Sequence, residues 1–130
     1  MRVTAVILAA GRGERMRATE NKAFLIVAGR PLLVHTLDAF VRSPRVDEIV
    51  VVVRRGEEAR IEALLPAVEK PLSIVPGGDV RRDSAIAGVE AARGEVVLIH
   101  DGARPFPSGA LIDCVIRGTL DCGEIGRAHV

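Results

Sequence analysis

Short apolar runs alternate with amphipathic stretches along the chain, and this alternation limits the possible folds more than any other feature. Runs that are rich in Val and Ile and too short for helices predict buried strands at residues 3–10, 48–53, 72–75 and 95–100. Apolar side chains at helical spacing predict helices between them, with stripes at residues 33–41, 61–68 and 85–92, and Pro66 suits the end of the second helix or the chain just beyond it. The alternating order predicts an α/β fold with three layers, α/β/α, around a mostly parallel central sheet.

The composition is that of one globular domain. The chain has 130 residues, 48% of them hydrophobic, which is enough for a core, and it has no apolar run long enough to span a bilayer. Its 18 basic and 17 acidic residues nearly cancel, and 3 Phe with no Tyr or Trp leave few surfaces on which bases could stack. Cys114 and Cys122 lack the spacing of a zinc site or a disulfide framework. We expect a cytoplasmic protein that binds neither nucleic acid nor membrane.

A glycine-bearing loop, LAAGRGERMRATENK at residues 8–22, follows the first predicted strand. Met16 occupies the third glycine position of a dinucleotide fingerprint, where a side chain obstructs the close packing of helix on strand. Arg54 and Arg55 follow the second strand, where an acidic residue would hold a ribose, so only an NADP-type enzyme remains in that class. A Walker A loop is excluded because no Gly-Lys-Ser/Thr follows. Gly11 and Gly13 could also serve only the turn itself.

The same loop carries more cations than acids, with four basic and two acidic residues between positions 12 and 22. Cations held near a triphosphate stabilise the charge that develops on the departing pyrophosphate when the bond between the α- and β-phosphates breaks. We interpret Arg15 and Lys22 as candidates for this role. Arg12 and Arg17 are interpreted as part of a solvated rim.

A second polar segment, HDGARP at residues 100–105, follows the fourth predicted strand. Asp101 would lie at the carboxyl edge of the sheet, where a carboxylate can hold Mg²⁺ together with substrate phosphates, or it could cap a turn. Arg104 could contact a phosphate or pair with Asp101. His100 ends a buried strand and is interpreted as a structural group.

The third segment, PGGDVRRDS at residues 76–84, follows the third strand and opens a predicted helix. Gly77 and Gly78 allow a ligand to approach the backbone closely. Asp79, Arg81 and Ser84 surround a helix start, where backbone amides favour anions and other acceptors. Asp79 could be a ligand, the N-cap of the helix, or both.

Four segments, AAGRGERM, NK at 21–22, GGDVRRDS and HDGARP, in this order and spacing resemble the 2-C-methyl-D-erythritol 4-phosphate cytidylyltransferases of the non-mevalonate isoprenoid pathway. The resemblance extends from about Thr4 to about Gly123. It implies a Rossmann-like fold of the nucleotidyltransferase type. It also implies transfer of CMP from CTP to the polyol phosphate, with release of pyrophosphate and with Mg²⁺ as cofactor.

The resemblance also implies a role for each matching residue. Arg15 and Lys22 match the catalytic pair that stabilises the pentacoordinate α-phosphorus, and Asp101 matches the metal ligand. The residues that match nucleotide-binding positions are Ala9, Ala10, Gly11, Gly13, Gly77, Gly78, Asp79, Arg81, Ser84, Ala103 and Arg104. Two positions depart from the family pattern, since Ala23 stands where Gln is common and Gly102 stands where Ala is common.

Family members continue past the matched region, with a further strand, an arm that dimerises and residues that grip the acceptor phosphate. The last residues, EIGRAHV, resemble the translation of a common short-read sequencing adapter. We therefore expect residues 1–123 to be the N-terminal CTP-binding part of a cytidylyltransferase domain and residues 124–130 to be a non-native tail. The full-length form is expected to be a homodimer, and this shorter chain is expected to have impaired activity.

Two alternatives stay open at this point. The chain could come from a cytidylyltransferase for another polyol phosphate, such as ribitol 5-phosphate, because the acceptor-selecting region is not in the matched part. It could also be a nucleotide-binding fragment without catalysis.

Overall fold

The computed structural model describes residues 2–10, 22–102, 112, 116–117 and 127–129. Its strands, in chain order, are β1 (Val3–Ala9), β2 (Ile26–Val27), β3 (Arg30–Pro31), β4 (Glu48–Val53), β5 (Leu72–Pro76), β6 (Val96–Asp101) and β7 (Arg127–His129). Its helices are α1 (Leu32–Arg42), α2 (Glu58–Leu64) and α3 (Arg81–Ala91), and a 3₁₀ turn spans Lys22–Phe24.

The central sheet of the described residues is parallel and has the order β5-β4-β1-β6-β7. All four predicted strands are confirmed, with boundaries that shift by one residue at most. Every residue of β1 and β4 is buried, as expected for Val- and Ile-rich strands that are covered on both faces. The strand β7 lies in the 124–130 segment, for which the sequence predicted no structure. The antiparallel hairpin β2–β3 was not predicted either.

Two apolar clusters on opposite faces of the sheet confirm the three-layer arrangement. Alternate residues of β1, such as Ala5 and Ile7, belong to the cluster that holds Leu37 and Phe40 of α1 and Ile61 of α2. The residues between them, together with alternate residues of β4, face Ala85 and Val89 of α3. The period of two along each strand is what separates the two clusters.

The apolar stripe at 61–68 runs past the end of the helix, because α2 stops at Leu64 and Pro66 lies just beyond it, where the sequence placed a helix end. Leu65 has φ −78° and ψ 136°, an extended conformation. The ring of Pro66 disfavours helical geometry at the residue before it, so the apolar spacing continues past the point where the backbone leaves the helix. Leu65 still packs against the core cluster.

A buried polar network ties the strands together at the amino edge of the sheet. The hydroxyl of Thr4 donates to Glu48 Oε1 at 2.7 Å, and the backbone N–H of Arg93 donates to the same oxygen at 2.9 Å. The N–H of Gly94 donates to Thr4 Oγ1 at 2.9 Å. The network joins β1, β4 and the turn before β6, at the end of the sheet opposite the polar segments predicted from the sequence.

Within the described part of the chain, every helix is too short or too polar to cross a lipid bilayer.

Candidate functional site

The strands β1, β4, β5 and β6 end at the same edge of the sheet. Ala9 is paired in register with Val53, Val53 with Pro76, and Leu8 with Asp101. The three polar segments predicted from the sequence follow β1, β5 and β6, so all three begin at this carboxyl edge. Ligands of open parallel sheets bind there.

Gly77 brings two of these segments into contact. Its N–H donates to the carbonyl of Val53 at 2.8 Å, which holds the residue against the end of β4. A Cβ at Gly77 would lie 2.4 Å from Ser84 Oγ and 3.1 Å from the Cβ of Ala10. The absence of a side chain therefore lets the start of α3 and the residue after β1 approach each other, and the hydroxyl of Ser84 is buried in this contact.

The start of α3 corrects one interpretation of Asp79. The N-cap residue is Val80, in extended conformation and with no side-chain capping hydrogen bond. The N-cap role considered for Asp79 is therefore wrong, and its carboxylate is exposed. Gly78 is exposed as well, and a Cβ there would lie 2.3 Å from the Cβ of Asp83, so the turn has no room for a side chain at this position.

Asp101 is paired with Arg81, another of the predicted site residues. Arg81 Nη1 lies 3.2 Å from Asp101 Oδ2, and the two side chains are 54% and 32% exposed. The carboxylate is carried by the last residue of β6, and the next N–H, that of Gly102, donates to the carbonyl of Leu8 at 2.7 Å. Asp101 is thus held by the sheet, while Arg81 reaches it from the first turn of α3.

The sequence interpretation missed this pair, having considered Arg104 as the partner of Asp101. A signal for it exists in the predicted topology. A helix that connects two parallel strands runs antiparallel to them, so its first residue lies at the edge where the strands end. A cation at the start of α3 was therefore a candidate partner for the acid at the end of β6.

Lys22 lies in the 3₁₀ turn Lys22–Phe24, whose last two residues are buried. The guanidinium carbon of Arg60, on α2, lies 3.8 Å from the centroid of the Phe24 ring, a cation–π geometry. The backbone of Lys22 is therefore anchored two residues away by a packed aromatic ring. The position of its side chain is outside what the structure describes.

Several predicted site residues fall outside the described part of the chain. They are Gly11, Gly13, Arg15, Ala103 and Arg104, together with the rim candidates Arg12 and Arg17. Their roles stay predictions. His100, interpreted as structural, is buried, and its ring centroid lies 5.4 Å from that of Phe40.

The residues present fit a divalent cation that a substrate helps to hold. Among the described residues, no three or more His, Cys, Asp or Glu side chains are grouped as a metal site. Asp101 offers one partly exposed carboxylate at the ligand edge, and a guanidinium already lies against it. Mg²⁺ typically takes one or two protein carboxylates and completes its shell with water and substrate phosphates.

Comparison with known proteins adds an independent line of evidence. Residues 3–126 match the family described as IspD, 2-C-methyl-D-erythritol 4-phosphate cytidylyltransferase. The protein of that name from Geobacillus kaustophilus is 48% identical over 109 residues, which cover 82% of this chain and 48% of the relative. Its counterpart from Clostridium acetobutylicum is 40% identical over an alignment of 131 positions, which covers 92% of this chain and 56% of the relative.

A solved structure gives the same result for the fold. The crystal structure of 4-diphosphocytidyl-2C-methyl-D-erythritol synthase from Anaerococcus prevotii superposes with a TM-score of 0.75 at 36% identity, covering 90% of this chain and 50% of that one. The predicted Rossmann-like nucleotidyltransferase fold is therefore confirmed. The chain spans about half the length of the relatives it matches.

Proposed function

The chain belongs to the 2-C-methyl-D-erythritol 4-phosphate cytidylyltransferase family, and on that premise we propose that the protein transfers CMP from CTP to 2-C-methyl-D-erythritol 4-phosphate and releases pyrophosphate. The observation that supports this most is the register of β1 and β6. It places Asp101, with its partner Arg81, beside the strand end from which the loop at residues 8–22 departs.

The reaction is a single displacement at phosphorus. An oxygen of the acceptor phosphate forms a bond to the α-phosphorus of CTP, and the bond to the oxygen bridging the α- and β-phosphates breaks. The electron pair of that bond leaves with pyrophosphate. Positioning and electrostatic stabilisation suffice for such a step, so no covalent enzyme intermediate is required.

Arg15 and Lys22 carry the charge stabilisation in this proposal. The negative charge grows on the oxygens around the α-phosphorus and on the departing pyrophosphate, and a fixed cation binds that charge more strongly than it binds the ground state. Each well-aimed contact lowers the activation free energy by on the order of 3 kcal/mol. The packed turn at Lys22–Phe24 supports the role of Lys22, because it fixes the backbone from which the side chain extends.

The remaining site residues hold the nucleotide in this proposal. The loop residues at the end of β1 wrap the base and triphosphate, the segment at the start of α3 selects the base, and the segment after β6 completes the site. In that order they are Ala9, Ala10, Gly11 and Gly13, then Gly77, Gly78, Asp79, Arg81 and Ser84, then Ala103 and Arg104. The close approach of Gly77, Ser84 and Ala10 supports a shared pocket for the first two groups.

Asp101 would hold Mg²⁺, which when bound neutralises phosphate charge and draws electron density from the reacting phosphorus. Residues 1–123 would form the CTP-binding part of the catalytic domain, and the acceptor-gripping and dimer-forming regions would lie in the part of the relatives that this chain does not span. We place the reaction in the cytoplasm, where both substrates are soluble phosphates.

The test is direct binding followed by turnover. Calorimetry with CTP and with NADPH separates the proposal from an NADP enzyme, and CTP is expected to bind in the presence of Mg²⁺ while NADPH does not. Pyrophosphate release is then measured, on a version of the protein that has the full length of its relatives, with 2-C-methyl-D-erythritol 4-phosphate and with ribitol 5-phosphate as acceptors. Turnover with the first acceptor that is lost in Arg15→Ala and Lys22→Ala supports the assigned roles. CTP binding that these changes leave unaffected, without turnover, would favour a non-catalytic nucleotide-binding protein.

A further inference from the structure

We propose that Arg81 and the divalent cation compete for the carboxylate of Asp101, so that Arg81 is a displaceable counter-ion that the incoming metal and nucleotide must exchange. This inference rests on the proposed function, since it concerns the order in which the same site is filled. It adds a second role to Arg81, whose guanidinium pairs with the carboxylate of Asp101 until the metal ion and the nucleotide bind.

The geometry of the pair is that of an exchangeable contact. Arg81 Nη1 and Asp101 Oδ2 are 3.2 Å apart, longer than the roughly 2.7–2.9 Å of a strong charged hydrogen bond. Both side chains are partly in solvent, with 54% of Arg81 and 32% of Asp101 exposed. Ion pairs of this exposure are weak because water and salt screen them. A divalent cation that brings its own charge can therefore displace the guanidinium.

The two partners differ in freedom, and this decides which one moves. Asp101 belongs to β6 and is paired in register with Leu8 of the central strand, so its backbone is fixed. Arg81 is the first residue of α3 and is exposed, and its long side chain can swing without disturbing a packed element. Exchange thus leaves the carboxylate in place and relocates the guanidinium.

The relocation couples metal to nucleotide. A metal ion that arrives alone must displace Arg81, and the positive charge of the released guanidinium then stays at the same edge of the sheet without its partner Asp101. A metal ion arriving with a triphosphate supplies an anion that the released guanidinium can bind, and guanidinium groups match phosphate oxygens well. Arg81 therefore disfavours binding of the bare cation and favours binding of the cation–nucleotide complex, which keeps Asp101 from being occupied by metal before substrate arrives.

The experiment is a titration of the chain with Mn²⁺ in the absence of nucleotide, read by the paramagnetic enhancement of water relaxation. The variants are Arg81→Gln, Asp101→Asn and, as a matched control, Arg82→Gln. Arg82 is the next residue on the same helix turn, is exposed and carries the same charge. Arg81→Gln is expected to bind Mn²⁺ about 2- to 5-fold more tightly than the parent chain, the range expected when a weak surface ion pair no longer competes.

The other variants distinguish competition from general charge effects. Arg82→Gln should change Mn²⁺ affinity much less than Arg81→Gln, because Arg82 is exposed and Arg81 is the residue whose guanidinium lies against the carboxylate. Asp101→Asn should remove the Mn²⁺ binding that Arg81→Gln strengthens. A general loss of structure would weaken binding, so the predicted gain in affinity cannot arise from misfolding. Circular dichroism of each variant confirms that the fold is retained.

The inference is overturned if Arg81→Gln binds Mn²⁺ with unchanged or lower affinity, if Arg82→Gln gives an equal gain, or if no Mn²⁺ binding depends on Asp101. Calorimetry with CTP on the same samples judges the proposed function separately. A chain that binds CTP but shows no competition at Asp101 retains the proposed function and loses this inference. A chain that shows the competition at Asp101 but binds no CTP loses the proposed function and keeps only the competition between Arg81 and the cation.

Discussion

The hydroxyl oxygen of Ser84 lies 2.4 Å from the point that a side chain on Gly77 would occupy first. A Cβ there would also lie 3.0 Å from Val52 Cγ1, so it is confined from two directions. The glycine at the end of β5 is therefore required by the packing of α3 against the sheet, in addition to any contact with a ligand.

Gly77→Ala is expected to lower the free energy of unfolding by about 1–3 kcal/mol, the usual cost of overpacking a close contact. The measurement is urea unfolding followed by circular dichroism, with CTP affinity measured in parallel. The double variant Gly77→Ala, Ser84→Ala removes the oxygen that clashes, so it should recover part of the lost stability. Additive losses in the double variant would contradict the close contact described for these two residues.

The buried network at the amino edge predicts a loss of stability without a loss of nucleotide binding. Thr4→Val removes the hydroxyl that links Glu48 to Gly94, leaving a buried N–H and a carboxylate oxygen each with one partner fewer. The expected loss is about 1–3 kcal/mol in the free energy of unfolding. CTP affinity, measured on the folded variant by calorimetry, should stay unchanged, since the site lies at the other edge of the sheet. A change in CTP affinity would show that the two edges are coupled.

The contact of Arg60 with Phe24 connects α2 to the turn that carries Lys22. Arg60→Ala is expected to cost about 0.5–1 kcal/mol, the usual value of an exposed cation–π contact, and to weaken CTP binding by loosening the turn. Arg60→Lys, which keeps a cation over the ring, should recover most of both effects. Arg55→Ala is the matched control, because Arg55 is an exposed cation in the turn before α2. Equal effects at Arg55 would attribute the loss to net charge.

Lys70 closes the C-terminal end of α1 and gives a pH-dependent prediction. Its Nζ donates to the carbonyl of Phe40 at 3.1 Å and to that of Ser43. Burial lowers the pKa of Lys70 from its ordinary value of 10.5, and the nearby Asp47 opposes part of this shift. In the window between the folded pKa and 10.5, the unfolded chain therefore binds this proton more strongly than the folded chain does.

Stability conferred by Lys70 should consequently rise with pH through that window. The free energy of unfolding of the parent chain, minus that of Lys70→Met, is expected to be constant at lower pH, where both states carry the proton, and to increase as the pH approaches 10.5. Urea unfolding at a series of pH values measures it. A difference that falls with pH would mean that the hydrogen bonds to the helix end outweigh the effect of burial on the pKa.

The order of strands and helices could be predicted because it follows from the length and the apolar spacing of each segment, and tertiary contacts do not change these assignments. The run EIVVVV, for example, is too short for a helix and apolar from Ile49 to Val53, and it forms β4 with every residue buried. The hairpin β2–β3 escaped prediction because strands of two residues are too short to show any alternation. Its turn is also unusual, since Ala28 has φ +50°, a conformation more typical of glycine.

The site was only partly predictable for a different reason. Gly77 and Asp101 stand at strand ends and Ser84 stands near the start of α3, and the order of strands and helices is enough to bring them to one edge. The predicted topology brings Arg81 to the edge where Asp101 stands, but the contact between them depends on the rotamers of a long side chain, which the sequence pattern does not specify. At α2 the apolar stripe alone would misplace the end of the helix, because it continues through Leu65 although the helix ends at Leu64, before Pro66.

The position of β1 in the middle of the sheet has a consequence for synthesis. Among the strands of this sheet, β1 leaves the ribosome first, yet both of its neighbours come later in the chain, and β6 (Val96–Asp101) much later. Until β6 has been translated, β1 presents an unpaired apolar edge, the kind of surface on which chains associate wrongly. The nascent chain therefore exposes one edge of its central strand for as long as the residues up to β6 take to be translated.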